Sequence, residues 1–444
     1  MTASAIEPTA PEVTPLRSVA VLTLGCKLNQ AESDAIAREL QQAGCVVFDR
    51  PASADAFIIN SCSVTHVADR KSRHLVRLAR RLSPEATVLL TGCFPETAGM
   101  DAALATGADL VVPSRDKAEV VRRLLAFRPA AGGAVVQEPG LRTRAFVKAQ
   151  EGCNDVCAFC IVPRTRGRER SWSAAEVAAV VREREWEGAQ EVVITGTQLG
   201  AYGRDLDATR YGPAAVIRAL LAETAVPRIR FSSLQPQDIS PELLALWDDP
   251  RLCRHFHLAL QSGSEAVLQR MRRRYTTQQF REALAALRAQ APDVAVTTDV
   301  LCGFPGETEA EHRESLAFCR EAGFALMHVF PYSRRPGTSA NLLPGHLDPQ
   351  TKRARTDEML ALAQESAATF RRRFLGRVET VLWEERVREE AGARAPLWEG
   401  LTDRYVRVRA RSRRELRNRL LPVHLIADLG EALLGTLLDE PPLS

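Results

Sequence analysis

The chain has 444 residues, and 59 Lys plus Arg against 55 Asp plus Glu leave a formal net charge of +4. Hydrophobic residues at 45% and charged residues at 26% are the proportions of a globular protein in water, and they exclude a disordered, collagen-like or membrane chain. A surplus of four charges is small for this length, so any contact with nucleic acid has to rest on local clusters of arginine.

Residues 1–17 (MTASAIEPTAPEVTPLR) lack the basic start and apolar run of a secretion signal and read as a loose tail. Nowhere does the chain approach the roughly 18 consecutive apolar residues of a membrane span. Ten cysteines without a secretion signal read as reduced thiols of a cytoplasmic protein, some of them metal or catalytic ligands.

From 18 to 127, short β-branched runs (Ser18 to Leu24, Ala56 to Asn60, Thr87 to Thr91, Asp109 to Val112) alternate with amphipathic stretches (Ala31 to Ala43, Val67 to Arg81, Asp116 to Phe127). This is the βαβ pattern of a doubly wound parallel sheet. Residues 128–141 are rich in Gly and Pro without periodicity and read as a linker. From 142 to 375 six more strands are expected, at Thr143 to Val147, Glu191 to Thr195, Arg228 to Ser232, Phe256 to Leu260, Ala295 to Asp299 and Leu326 to Phe330, with helical stretches between most of them. A complete (βα) barrel needs eight units, so an open, partial (βα)6 barrel is expected. From 376 to 440 the runs VETVLWEE, YVRVRAR, LLPVHLIA and EALLGTL predict a small β-barrel of the nucleic-acid-binding kind. Three domains follow from this division, and the fold class is α/β with a small C-terminal β-barrel.

Directly after the first barrel strand stands Cys153-Asn154-Asp155-Val156-Cys157-Ala158-Phe159-Cys160. Three thiolates at CxxxCxxC spacing suit an iron–sulfur cluster, and because a four-iron cluster normally takes four cysteines, one iron stays open to a ligand. The alternatives are a zinc site or three incidental thiols. Zinc usually pairs CxxC with a second pair, and none follows nearby. The motif, with an aromatic residue before its last cysteine, resembles the radical S-adenosylmethionine superfamily. That resemblance implies that Cys153, Cys157 and Cys160 hold a 4Fe-4S cluster, that the free iron chelates S-adenosylmethionine, and that one-electron reduction releases a 5′-deoxyadenosyl radical. Phe159 would belong to the cofactor site. So would groups at other strand ends: Gly196, Thr197 and Gln198; Ser232 and Ser233; Gln261 and Ser262; Asp299, Gly303 and Gly306. Any one of these segments alone is equally an ordinary βα turn, and their recurrence on one rim favours a binding site.

A second set, Cys26, Cys62 and Cys93, lies one to three residues beyond predicted strands of the first segment. Each alone reads as a small buried residue. Together, beyond the carboxyl ends of a doubly wound sheet, they can meet in space as a second 4Fe-4S site. The two sets resemble the methylthiotransferases over nearly the whole chain, with a C-terminal module similar to the RNA-binding TRAM barrel. The resemblance implies that the cluster at Cys26, Cys62 and Cys93 holds the sulfur to be transferred. LGCKLNQ (24–30) looks like the bacterial subgroup acting on threonylcarbamoyladenosine in tRNA next to the anticodon, at position 37, rather than those acting on isopentenyladenosine or on a ribosomal-protein aspartate.

Carbon 2 of a purine has no acidic hydrogen and no leaving group, so side-chain acid–base or nucleophilic chemistry cannot reach it, whereas a radical can. The resemblance further implies S-adenosylmethionine as both methyl donor and radical source, an electron donor such as flavodoxin or ferredoxin, a sulfur donor, and no membrane partner. A reading from a different class is a non-catalytic RNA-binding protein using iron as a redox sensor, which closed four-cysteine ligation would serve better. Between Arg404 and Arg419 eight arginines face a single acid, Glu415. Arg407, Arg409 and Arg411 share one face of a strand, a cationic strip suited to phosphates or simply a solvated face. Arg164, Arg166, Arg168 and Arg170, and the run Arg270, Arg272, Arg273 and Arg274, read as exposed charge or as an extension of that surface.

Overall fold

The computed structural model describes residues 15–131, 143–206, 212–387 and 395–439. The expected tail through residue 14 and residues 132–141 of the expected linker lie outside the described residues. The chain divides into two compact units, one of residues 1–140 with Arg164–Arg166, the other of residues 141–163 with 167–444.

In the first unit five parallel strands lie in the order Val46–Phe48, Ser18–Thr23, Ala56–Ser61, Thr87–Gly92, Leu110–Pro113. The two strands Ala56–Ser61 and Thr87–Gly92 are buried along their whole length, which explains why they read as continuous rather than alternating apolar runs. Successive side chains alternate between two cores. Ala20, Leu22, Phe57, Ile59, Val88 and Leu90 pack on one face. Val19, Val21, Ala56, Ile58 and Leu89 pack on the other. Val46–Phe48, only three residues long, was not expected. The tail and linker boundaries also need correction. Leu16 is fully buried, its N–H donates to Pro129 O at 2.7 Å, and Ala131 N–H donates to Leu16 O at 2.8 Å, so both ends of this unit extend past 18 and 127.

The second unit holds the strands Arg144–Lys148, Glu191–Thr195 and Arg228–Phe231 in one parallel arc. A second parallel arc runs Ser233–Leu234, His255–Leu258, Ala295–Cys302, Leu326–Pro331. Residues 228–234 contribute to both arcs and join them into the partial barrel. The surrounding helices Ala174–Trp186, Thr277–Gln290 and Glu309–Ala322 each begin with a capping box, at Ser173, Thr276 and Thr308.

After the long helix Pro349–Arg372 the chain closes a five-stranded barrel, ordered Val378–Arg386, Leu397–Thr402, Arg407–Arg411, Leu433–Leu437, Leu420–Asp428. Leu397–Thr402 was missed because Gly400 and Thr402 interrupt its apolar alternation. Trp383, Trp398, Val408 and Val423 form its core together with Phe370, Phe374 and Ala295. Because the (βα) barrel lends side chains to that core, the last two of the three expected domains form one compact unit.

Candidate functional site

In the first unit Cys26, Cys62 and Cys93 follow three adjacent parallel strands. Thr23 lies opposite Asn60 and Ser61 opposite Gly92, so Cys62 and Cys93 leave the sheet side by side. The strand order reverses between Ser18–Thr23 and Ala56–Ser61, which places Cys26 and Cys62 at the crevice such sheets use for ligands. Two glycines permit the close approach. Gly25 has φ +103, and a Cβ there would lie 2.8 Å from Cys62 Cβ. Gly92 has φ +96, and a Cβ there would lie 2.3 Å from the Ser61 carbonyl oxygen.

Asn29 ties these loops together. Its Nδ2 donates to Leu24 O at 2.6 Å and to Ser61 O at 3.0 Å, and its Oδ1 accepts from Arg166 Nη2 at 2.5 Å. Arg166 also donates to Glu32 at 2.8 Å, and Glu32 pairs with Lys117, all three side chains being buried. Two cations thus share one carboxylate, and the surplus positive charge acts on Cys93 from both and on Cys26 from Arg166. Burial pushes the Cys62 thiol up to about 11. Asn60 Oδ1 and Thr91 Oγ1 are buried without a hydrogen-bond partner among the described residues.

In the second unit the cysteine loop is held from several sides. Cys153 N–H donates to Gly167 O at 3.1 Å, Ala158 N–H to Met271 O at 2.9 Å, and Ala340 N–H to Ala158 O at 2.8 Å. Phe159 packs against the cluster of Ala158, Val267, Met271, Phe304 and Tyr332. Arg273 donates to Cys157 Sγ at 3.2 Å and to the Tyr275 hydroxyl at 3.0 Å. Burial raises the Cys153 thiol to about 11 and the Cys160 thiol to about 12. These thiols are protonated at neutral pH in the absence of metal, so metal binding must displace their protons.

The rim divides into two groups. Gln150 Nε2 donates to the Glu151 and Gly152 carbonyls at 3.0 and 2.9 Å, while its Oε1 accepts from Gln198 N–H at 3.0 Å. The segment of Gly196, Thr197 and Gln198 is thereby joined to the cysteine loop, and Thr197 Oγ1 is buried without a partner among the described residues. Gln235 donates to Asp155 at 3.3 Å, and Asp238 accepts from Gln235 N–H at 2.8 Å and from Gln198 Nε2 at 3.4 Å. Burial lifts the Asp238 carboxyl to about 6. Gln261, at φ +68, exchanges backbone hydrogen bonds of 2.8 Å with Asp299 and Leu301. Asp299 lies 3.4 Å from His257 Nε2.

Other expected cofactor residues are engaged elsewhere. The Ser232 hydroxyl lies 3.5 Å from that of Thr195. Ser233 is half-buried on a short strand paired with His255–Leu258. Ser262 is hydrogen-bonded to Ser315 at 2.9 Å. Gly303 N–H donates to Glu307 at 2.8 Å, Glu307 pairs with Arg355 at 2.9 Å, and Gly306 N–H donates to Gly345 O at 2.8 Å. These contacts fix the conformation of the loops at the strand ends.

Among the described residues no three Cys, His, Asp or Glu side chains converge as ligands of a single ion do. In a four-iron cubane each thiolate takes a different iron, and each triad offers three thiols. Both sets therefore fit a four-iron cluster by donor chemistry, by neighbouring counter-charge and by orphaned polar groups. Sequence reasoning missed Arg166, Lys117, Glu32, Arg273 and Asp238. Arg166 and Arg273 belong to runs that read as exposed charge or as an extension of the cationic surface; the Arg166 side chain is buried and Arg273 is partly buried, each beside a cysteine loop.

The expected cationic strip is also altered. Arg407 and Arg409 both pair with Glu399, at 3.0 and 2.8 Å, and Arg411 donates to Ala395 O at 2.9 Å.

Residues 18–113 match the family described as "Uncharacterized protein family UPF0004", and residues 147–319 match the Radical SAM superfamily. The chain is 34% identical to the threonylcarbamoyladenosine tRNA methylthiotransferase MtaB of Bacillus subtilis, over 93% of this chain and 94% of that one. It is 33% identical to the MtaB of Thermotoga maritima over 83% and 87% of the two chains. A tRNA-2-methylthio-N(6)-dimethylallyladenosine synthase of Syntrophotalea carbinolica is also 33% identical, over 85% and 90%. Among solved structures the radical S-adenosylmethionine methyltransferase TsrM of Kitasatospora setae aligns with a TM-score of 0.54 at 14% identity, over 73% of this chain and 77% of that one, a likeness of fold.

Proposed function

Because the chain belongs to the radical S-adenosylmethionine methylthiotransferase family, we propose that it adds a methylthio group to carbon 2 of threonylcarbamoyladenosine beside the anticodon of tRNA. The observation that carries this reading is the pair of cysteine triads, one at three adjacent strand ends and one in the CxxxCxxC loop, within a chain that its MtaB relative matches almost end to end. Cys153, Cys157 and Cys160 hold one 4Fe-4S cluster, and Cys26, Cys62 and Cys93 hold the other. When bound, the clusters and S-adenosylmethionine supply the adenosyl radical and the sulfur that is transferred.

The chain's own groups position and neutralise. Arg273 places a positive charge on Cys157 Sγ, a counter-charge to a cluster held there. Gln150 fixes the backbone before Cys153 against the strand end at Gln198, so the two sides of the site keep one spacing. Gln198, Gln235 and Asp238 form a buried hydrogen-bonding row suited to a polar ligand such as an amino acid or a ribose. Lys117 and Arg166 offset the anionic charge of the first triad.

An external one-electron donor of the flavodoxin or ferredoxin kind and a separate sulfur donor complete the reaction, in the cytoplasm where tRNA is processed. Among the described residues no helix is long and apolar enough to cross a membrane. The dimethylallyladenosine substrate is the second reading, favoured by the Syntrophotalea relative at nearly equal identity.

Replacing Cys157 by Ala is expected to abolish 5′-deoxyadenosine formation and leave iron on the first triad. Cys26→Ala is expected to keep 5′-deoxyadenosine formation and lose methylthio transfer. Nucleoside mass spectrometry of tRNA from cells with and without the protein then identifies the base. Methylthiolation by either variant overturns the assignment of roles, and loss of only the dimethylallyl product overturns the substrate.

A further inference from the structure

Lys117, Glu32 and Arg166 are charged side chains buried beside the first triad, with 8%, 6% and 4% of their surface exposed. Arg166 donates to Glu32 at 2.8 and 3.2 Å, and Lys117 pairs with the same carboxylate. Buried charges of this kind contribute little net stability, because desolvation offsets their attraction, and an apolar cluster of the same volume is often as stable. Their place next to the cysteines therefore points to an electrostatic role.

The geometry ties them to the thiols. Cys26 caps the helix Lys27–Gln42, and Asn29 and Glu32, three residues apart, share one face of its first two turns. Asn29 Oδ1 lies 3.9 Å from Cys26 Sγ and accepts from Arg166 at 2.5 Å, so one amide oxygen stands between guanidinium and thiol. Lys117 comes from the segment Ser114–Glu119, after the strand Leu110–Pro113, and its charge acts on Cys93. Cys62 Sγ accepts from the N–H groups of Ser63 and Val64. Asp69 and Glu96, on the helices that follow Cys62 and carry Cys93, are half-buried and accept from the Ser63 hydroxyl and the Ser114 N–H at 2.5 and 2.9 Å. Within the buried Lys117, Glu32 and Arg166 group, two cations stand to one carboxylate.

We propose that Lys117, Glu32 and Arg166 set the reduction potential of the cluster at Cys26, Cys62 and Cys93, raising it through one cation more than carboxylate. The proposal rests on the two-cluster reading above. Net charge, hydrogen bonds to sulfur and exposure fix the potential of an iron–sulfur centre, and a buried cation favours whichever state carries more negative charge. One electron is at issue: the external one-electron donor loses it, the cluster gains it, and no bond forms or breaks. The three side chains are positioning residues, acting through Asn29 and through their field.

The test is an anaerobic potentiometric titration, followed by electron paramagnetic resonance, of the iron-loaded Cys157→Ala protein, in which the first triad keeps its cluster. Lys117→Met in that background is expected to lower the midpoint with iron content unchanged. At the parent's midpoint the reduced-to-oxidised ratio should fall about tenfold, which is about 60 mV for one electron. Adding Glu32→Gln restores one cation more than carboxylate and is expected to return the midpoint most of the way to the parent's. A merely structural group predicts the opposite, since the double variant has lost more of the buried network. A midpoint that Lys117→Met leaves unchanged overturns the proposal and leaves the two-cluster reading standing. So does a double variant that falls further than the single one, or iron lost from the triad in both. A Cys157→Ala protein that takes up no iron removes the two-cluster reading itself, and the proposal with it.

Discussion

At the scale of single residues, the first triad depends on positions that cannot carry a side chain. Gly92 combines φ +96 with a backbone oxygen 2.3 Å from where a Cβ would sit, so Gly92→Ala has to displace either Ser61 or Cys93. We expect it to cost about 2 kcal/mol or more and to lower iron on the first triad alone, read by thermal melting and metal analysis. Asp238 gives a pH-dependent expectation. Its carboxyl, at 3.8 when unperturbed, is raised to about 6 by burial. The protonated form is therefore the one the fold prefers, and its contribution is complete below about pH 4 and lost as pH rises through 6. Asp238→Asn should remove that slope and gain about 2 kcal/mol relative to the parent at pH 8, seen in urea unfolding at pH 5 and pH 8. The six cysteines were legible because one triad is local in sequence and the other recurs at strand ends. Arg273 and Asp238 were not, since they reach the cysteine loop from segments more than 70 residues away and nothing in their own neighbourhoods marks them as buried.

At the scale of elements, buried polar contacts decide how the (βα) barrel meets the C-terminal barrel. Arg230 is fully buried, pairs with Glu191 at 2.7 Å, donates to the Asp403 and Thr402 carbonyls at 2.8 and 3.3 Å, and lies 5.0 Å from the Tyr405 ring centroid. Replacing Arg230 leaves the buried Glu191 with only the longer contact to Arg228 at 3.9 Å, so Arg230→Met should cost about 3 kcal/mol. Adding Glu191→Met should recover part of that loss, because the penalty lies in the under-compensated carboxylate. Strictly additive effects in the double-variant cycle would show that the two side chains do not cooperate. The strands of both sheets were legible from apolar runs, whereas Val46–Phe48 was too short to register and Leu397–Thr402 carries Gly400 and Thr402 at inward positions where alternation calls for apolar residues. Arg407, Arg409 and Arg411 do share one face, but their pairing was not legible. A strand pattern shows which face a side chain takes, but the neutralising Glu399 comes from the adjacent strand.

At the scale of the whole molecule, composition and motif separated three segments, and tertiary packing fused two of them. Phe370 and Phe374 from the end of the long helix, and Ala295 from a barrel strand, lie in the same apolar cluster as Trp383, Trp398 and Val408. Burying an aromatic side chain is worth on the order of 2 kcal/mol, so several of them, together with the Arg230 hydrogen bonds to the Asp403 and Thr402 carbonyls, resist separation. The last 70 residues are therefore not a detachable accessory. Cutting the gene after the long helix would bare a greasy floor on the catalytic half and deprive Arg230 of the Asp403 and Thr402 carbonyls, so a truncated enzyme would clump. A lineage could alter the outer surface of this module by point changes at its rim, but not swap the module whole.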